Sequence, residues 1–398
     1  MSETTRPEAW ITGIGLVSSL GDGVEAHWAR LKSGQVAEPV VDETTAAPYS
    51  FHPLCEVAFE TQIPGRGDRR QMGPWQLLGT YAAGLALSDA GLGDDAAAKA
   101  DMNLLVAAGT GERDPESDAA IFAEVHDLPA DQTRLNRLMM DTLRPTLFLS
   151  QLANLLAGNI SIVHGVTGSS SSFMGAEMAG VAAVENAVRR VRAGRDRLFL
   201  VGGSFVAGRN EHLLTLAGMK LAWMHAFRPV WQRAGQGGGA ILGNVGAFLV
   251  IEEAEHAAAR GAHAYAAIGE IASGRGGTRR PVHDAVRSLG SGPLLVMSGA
   301  SGIEPQTSDE RGVLEGLAAD GFEPVVRGYA SVLGLAAEAH FPAGLALAAI
   351  AADRGAAYDP FEGSGFERPS NLAPDHVLVT TQGRWRGAGA GLLASTER

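Results

Sequence analysis

The run Ala9-Trp10-Ile11-Thr12-Gly13-Ile14-Gly15-Leu16-Val17 is short and apolar, and residues 18–23 that follow it are small and polar, which predicts a strand entering a turn. Val24, Trp28 and Leu31 then recur at helical spacing, with Gly34 as a stop. Pro39, Pro48, Pro53 and Pro64 predict irregular chain over residues 36–68, because proline breaks regular elements. A helix is expected from Trp75 to Ala90, and a buried strand from Asn103 to Ala108 that exits through Gly109-Thr110-Gly111. Residues 113–145 are polar and mixed, and read as a helical excursion able to cover a neighbour or an entrance. The β-branched stretch Ser161-Ile162-Val163 reads as a strand, followed by the small-residue run from Gly168 to Ser172. A helix is expected from Ala176 to Arg192, with Met178, Val181, Ala182, Glu185 and Val188 on one face, then strands at Leu198–Val201 and Ala247–Ile251 and a helix from Ala254 to Arg260.

After Gly261 the pattern begins again. His263 to Gly274 repeats the apolar content and glycine placement of Ala9 to Gly21, and Leu294 to Ser298 has a Gly-rich exit like that after Asn103. The chain, at 398 residues, exceeds what one hydrophobic core of about 250–300 residues holds. The expectation is two related βα halves, residues 1–252 and 253–398.

Composition narrows the classes. Apolar residues at 45% and charged residues at 19% give an ordinary globular balance, with no signature of disorder. A net charge of −12 argues against nucleic acid as a partner, which needs clustered Lys and Arg. Arg189, Arg190, Arg192 and Arg195 make one local basic cluster, open to two readings: a docking patch for an acidic partner, or a solvated helix end. Cys55 is the only cysteine, so no intrachain disulfide or zinc cluster can form, and a structural role is expected for it. Met1 to Pro7 lack an apolar signal core and no run of about 20 apolar residues occurs, which predicts a cytoplasmic protein without a membrane span.

Three stretches carry a family likeness: WITGIGLVSSLGDGVEAHWARLKSGQ at the start, NLLAGNISIVHGVTG with VRAGRDRLFLVGGS in residues 154–204, and GAILGNVGAFLVIEEAEHAAARGA in residues 239–262. Together they resemble β-ketoacyl-acyl-carrier-protein synthases. The resemblance implies an α/β, thiolase-like fold with five αβαβα layers from two duplicated halves, usually as a dimer. It implies chain extension in which a cysteine thiolate holds the acyl group, a malonyl unit on acyl carrier protein is decarboxylated, and histidines polarise the thioester oxygen. No cofactor or metal is implied.

The departures from the family pattern are concentrated where this chemistry would lie. Anchored on Gly165, Gly168 and Gly180, the nucleophile position falls on Glu177. The two histidine positions fall on Ala300 and Leu335, and the lysine position on Ala330. The C-terminal gate segment of the family corresponds to Arg384-Trp385-Arg386-Gly387. His340 lies five residues after Leu335, and is either a displaced catalytic histidine or a histidine on a loop or helix face. With nucleophile, histidines and lysine absent together, the resemblance implies a subunit without condensation chemistry of its own. It is similar in logic to chain-length factors, which pair with an active ketosynthase and shape its acyl tunnel. A malonyl-carrier decarboxylase using Glu177 and a homodimeric carrier-binding scaffold are the alternatives. Trp231, Trp385 and the Met139–Met140 segment are candidates for lining a tunnel, or are plain core. Among pathways, very-long-chain fatty acids for lipid A are the leading expectation and aryl polyenes the second.

Overall fold

The structure is a computed structural model that describes residues 7–32, 40–109, 111, 113–127, 132–143, 145–361, 363–385 and 387–396. Met1 to Arg6, Gly34, Pro39, Thr110 and Arg386 lie outside the described residues. The first half runs β1 (Ala9–Ser18), α1 (Pro74–Asp89), β2 (Asn103–Ala107), α2 (Leu155–His164), β3 (Ser170–Phe173), α3 (Glu177–Arg192), β4 (Leu198–Phe205) and β5 (Val245–Glu253). The second runs β6 (Ala266–Gly274), α4 (Arg279–Val286), β7 (Gly292–Ser298), α5 (Gln306–Gly316), β8 (Phe322–Gly328), α6 (Ala337–Asp353), β9 (His376–Gln382) and β10 (Ala388–Ala394).

Hydrogen bonding orders these strands β8-β7-β9-β10-β6-β1-β5-β4-β2-β3. Read outward from the middle, both halves have the same order, so β1 corresponds to β6, β2 to β7, β3 to β8, β4 to β9 and β5 to β10. The two central strands meet only over Ala9–Ile11 and Ala266–Ile268, antiparallel. Helices α3 and α6 pack on each other and on strands of both halves, while α1 covers the outer face of one sheet and α4 the outer face of the other. That makes five layers, α1, sheet, α3 with α6, sheet, α4, the duplicated thiolase-like arrangement expected from the sequence.

A helix pressed between two sheets must be apolar on more than one face, and this explains one departure from the expected pattern. The stripe Met178, Val181, Ala182, Glu185 and Val188 is only partly buried. The buried set of α3 is wider and includes Glu177, Ala179, Gly180, Ala183, Val184, Ala187 and Val191. Its partner α6 is buried from Ala337 to Ala352. The two cross closely at Gly180, where a Cβ would come within 2.6 Å of Pro342 Cδ and 2.8 Å of the Glu338 carbonyl. Pro342 has no N–H to give that carbonyl, so the first turn of α6 is held open on the side facing α3.

The strand expected at Ser161–Val163 is instead the last part of α2. Leu156, Ala157 and Ile160 bury at helical spacing, Ile162 points to solvent, and Gly165 closes the helix in the left-handed conformation (φ 75°). Packing on α1 outweighs the strand preference of two β-branched residues. The 113–145 excursion is helical as expected, with helices at Pro115–Asp127 and Gln132–Thr142. Among the described residues no helix is long and apolar enough to cross a membrane.

Candidate functional site

Strand β3 ends at Phe173, and the chain turns through Gly175 (φ 145°) and Ala176 (φ 50°, ψ −128°) before α3 begins at Glu177. Alanine in that region is strained, at a cost of about 1–3 kcal/mol, and such strain persists only where the surroundings hold the corner. In the second half the corresponding corner is Ala337 (φ 33°), followed by Glu338 in the first turn of α6. The duplication therefore sets Ala176-Glu177 and Ala337-Glu338 as counterparts at the heads of two packed helices.

Both glutamates are buried, with 1% and 7% of their surface exposed. Glu177 Oε1 lies 3.8 Å from Arg384 Nη1, an ion pair by distance, and accepts no hydrogen bond. Burial pushes the Glu177 carboxyl up, against the Arg384 guanidinium, which pulls it down. Glu338 is pushed up to about 7, first by burial and then by the Glu177 charge, with Arg384 and Arg209 opposing. Gly109 makes room for it, since a Cβ there would sit 2.5 Å from Glu338 Oε1.

Another buried glutamate shows what this fold does when it needs a stable anion. Glu252 receives Arg260 through both oxygens (2.8 and 2.7 Å), Thr12 at 2.8 Å and His256 at 2.5 Å. Burial raises its carboxyl, but those partners hold it below the usual range. In place of four close side-chain hydrogen bonds, Glu177 has the Arg384 guanidinium at 3.8 Å and the backbone N–H groups of Glu177 and Arg384. The site is held polar and under-satisfied, a condition that ordinary core positions avoid.

Arg384 comes from the turn between β9 and β10. The Gly383 N–H donates to the Gly387 carbonyl at 2.9 Å, and the Gln306 amide of α5 donates to the Arg384 carbonyl at 3.4 Å. Gly387 (φ 90°) lies against Met178, beside Glu177, and Trp385 is 59% exposed with the Arg384 guanidinium 5.8 Å from its ring centre. Of the gate segment, then, Arg384 and Gly387 reach the head of α3, Trp385 faces out, and Arg386 is outside the described residues. His212 completes the surroundings: burial, then Arg209 and Arg384, lower it to about 4, so its imidazole is neutral.

Of the remaining sequence candidates, Ala300, Ala330 and Leu335 are apolar and packed. Ala300 and Ala330 share one buried cluster with Val230 and Trp231, whereas Leu335 belongs to the central cluster with Val332 and Ala336. The Leu335 backbone is extended, donating to the Ile241 carbonyl at 2.8 Å and accepting from Gly243 at 3.1 Å. His340 lies on α6 with its Nε2 3.0 Å from the Gly299 carbonyl, which can only accept, so Nε2 carries the proton. Burial lowers this imidazole to about 4, the Gly299 bond opposing, and Tyr329 packs on it at 4.6 Å. Trp231 is core, donating to Glu367 at 3.0 Å, while Met139 and Met140 are exposed.

The basic cluster at the end of α3 is largely committed to the protein. Arg189 pairs with Glu185, Arg190 with Asp196, and Arg192 with the Ile268 and Gly269 carbonyls. Sequence reasoning missed Glu338. Its signal was the internal repeat, because matching the two inner helices pairs Ala-Glu at 176–177 with Ala-Glu at 337–338.

Against this geometry, the family model for the β-ketoacyl synthase N-terminal domain matches residues 8–257. The chain belongs to the β-ketoacyl synthase family. It is 28% identical over 274 residues to a 3-oxoacyl-[acyl-carrier-protein] synthase 2 of Rhizobium meliloti (strain 1021), covering 65% of this chain and 62% of that protein. It is 29% identical over 295 residues to the tetracenomycin polyketide synthase ketoacyl synthase beta subunit of Streptomyces glaucescens, covering 69% and 66%. The chain thus spans about 62% of the length of the first of these synthases. By structure it resembles the ishigamide ketosynthase/chain length factor, with a TM-score of 0.80, 18% identity and 98% and 100% of the two chains covered. A type II polyketide ketosynthase solved with its acyl carrier protein and a bound hexaketide superposes with a TM-score of 0.77 at 15% identity, over 99% and 100%. This synthase family serves fatty acid and polyketide biosynthesis, and these solved structures share the fold.

Proposed function

We propose that this chain is the non-catalytic, chain-length-determining subunit of a ketosynthase pair, acting in the cytoplasm on acyl chains carried by acyl carrier protein. The observation that carries the reading is Glu177: a buried carboxyl with no hydrogen bond to Oε1 where the family's thiolate would stand. A carboxyl pushed toward its neutral form is a poor acyl carrier. The Ala300, Leu335 and Ala330 side chains have no group to donate to a thioester oxygen or to move a proton. Decarboxylation at Glu177 is disfavoured for a related reason, since the neighbouring Glu338 adds a second acid where a malonyl carboxylate would have to approach.

Pairing has its own support. Strand β3 is an edge of the sheet, with Ser170, Ser171 and Ser172 exposed, and an edge offers unpaired N–H and C=O groups to another chain. Ile162 on adjoining α2 and Met174 just past β3 are exposed apolar side chains, and Phe148 and Leu152 lie exposed on the approach to α2. An apolar surface beside an open strand edge suits a second chain of the same fold.

The test is co-expression with a complete ketosynthase of the source organism. The pair should co-purify, and only the pair should elongate acyl chains. Condensation by the purified chain alone would sink the proposal, as would a stable homodimer that ignores every synthase. Glu177→Cys should leave the chain inactive on its own.

A further inference from the structure

A pocket of about 510 Å³ opens where the chain after β4 meets the helix Arg66–Gln71 and the start of the helix Pro115–Asp127. Glu177, Glu338 and Arg384 do not line it, so among the described residues it is separate from the candidate site. Most of its charged groups answer one another. Arg113 is spent on Asp118, bonded through both carboxylate oxygens at 2.6 and 2.7 Å. Arg209 is spent on Glu211 at 2.9 Å and on the Gly111 carbonyl at 2.7 Å. Asp114 accepts the Glu116 and Ser117 N–H groups and so caps its own helix. Arg70 is the exception: it is exposed, and it forms no ion pair or hydrogen bond among the described residues.

The helix Asn210–Gly218 starts at this pocket. Arg209 stands at its N-cap and makes no capping hydrogen bond. Helices favour Ser, Thr, Asp or Asn there, because the first turn leaves N–H groups that need an acceptor. An arginine side chain carries only donors and cannot supply one. The positive end of the helix is therefore left without a side-chain cap beside the pocket, a setting that suits an anion.

A second observation is independent of the helix. Asn244 lines the same pocket, although only 8% of its surface is exposed. Its Oδ1 accepts the Ala207 N–H at 2.6 Å, which fixes the orientation of the amide, because an N–H gives to oxygen and not to the NH2 group. That NH2 group has no acceptor among the described residues. Buried donors are ordinarily bonded, so an unused one in a pocket wall marks where an outside acceptor fits. Met72, Pro74 and Val206 add apolar surface to the same walls, and the volume is that of a small-molecule site.

We propose that this pocket binds a small organic anion, a carboxylate or phosphate monoester on a short apolar body, with its charged oxygens among Asn244, Arg70 and the start of the helix Asn210–Gly218. The site goes beyond the subunit reading above and stands whether or not the chain pairs with a ketosynthase.

The test is calorimetric titration of hexanoate and of hexyl phosphate onto the full chain, with 1-hexanol as the uncharged probe. At least one anion should saturate a single site, and hexanol should bind at least tenfold more weakly. Asn244→Asp keeps an oxygen for the Ala207 N–H and turns the free donor into a carboxylate. It should lower anion affinity at least tenfold, with the urea midpoint reporting an intact fold. Arg70→Gln should give a smaller loss that fades as salt is added. Arg275→Gln, at an exposed arginine outside the pocket, should bind as the parent does. Tighter binding of hexanoate assigns the pocket to carboxylic acids, and tighter binding of hexyl phosphate assigns it to phosphate esters; either upholds the proposal. It is overturned if neither anion binds saturably, if hexanol binds as tightly as the anions, or if folded Asn244→Asp keeps the parent affinity. Should Asn244→Asp fail to fold, Arg70→Glu at its exposed position reads the same contact, and parent affinity there overturns the proposal as well.

Discussion

Replacing Glu338 by glutamine should stabilise the protein, and by more as the pH rises. In the unfolded chain this carboxyl ionises near 4.5, while in the fold burial and the Glu177 charge push it up to about 7. Over that interval the folded state keeps a proton that the unfolded state has released. Stability is therefore fully present below pH 4.5 and is lost as the pH climbs through 7. At about 1.36 kcal/mol for each tenfold change in the ionisation equilibrium, the loss approaches roughly 3 kcal/mol at pH 8. Glutamine keeps the shape, fits the room left by Gly109 and never ionises. The advantage of the variant should thus grow by about 2–3 kcal/mol between pH 5 and pH 8. Urea unfolding of both proteins at the two pH values, at one ionic strength, reads this directly. With a slope of about 3 kcal/mol/M, the pH 8 midpoints should separate by roughly 1 M. An advantage that is the same at both pH values, or a variant that is weaker at pH 8, would refute the claim that a buried carboxyl is held here without adequate partners.

Three further outcomes follow from the same contacts. Gly109→Ala should cost about 1–3 kcal/mol by crowding Glu338, and combining it with Glu338→Ala should recover at least 0.5 kcal/mol of the summed losses in a double-mutant cycle, roughly the least a direct contact yields. Arg384→Met should destabilise by about 1–2 kcal/mol where Glu177 is ionised and by less as the pH falls and its raised carboxyl takes up a proton, with Trp385 fluorescence reporting the displaced turn. Cys55 is half-buried and its thiol is pushed up to about 11, by burial first and Asp22 next. Iodoacetamide should therefore label it about a hundredfold more slowly at pH 8 than a free cysteine.

Most of the layered fold was legible because its signals are local. The opening strand, the helix after Glu177 and the restart after Gly261 are periodic apolar segments bounded by glycine, and each became an element close to the expected place. Residues 161–163 misled because two β-branched residues favour a strand, while the decision was made by packing of Leu156 and Ile160 on a helix some 80 residues earlier in the chain. The helix start at Glu177 was legible for a related reason: the corner at Ala176 that precedes it is local. Its environment was not. Arg384 arrives from a turn about 200 residues away, and Glu338 from the second half, so neither could be placed beside Glu177 without the fold.

The strained corners at Ala176 and Ala337 bear on the chain's history. Two helix heads with their positive ends converging make a place that gathers negative charge. Here Glu177, Glu338 and Arg384 occupy it from within. On the proposed reading of Glu177, a cysteine placed at 177 would meet the Glu338 carboxyl next to it, which would oppose ionisation of the thiol and hold down its nucleophilicity. On that reading, thiolate chemistry at this corner would need changes in both halves together, because the duplication places one acid from each half there.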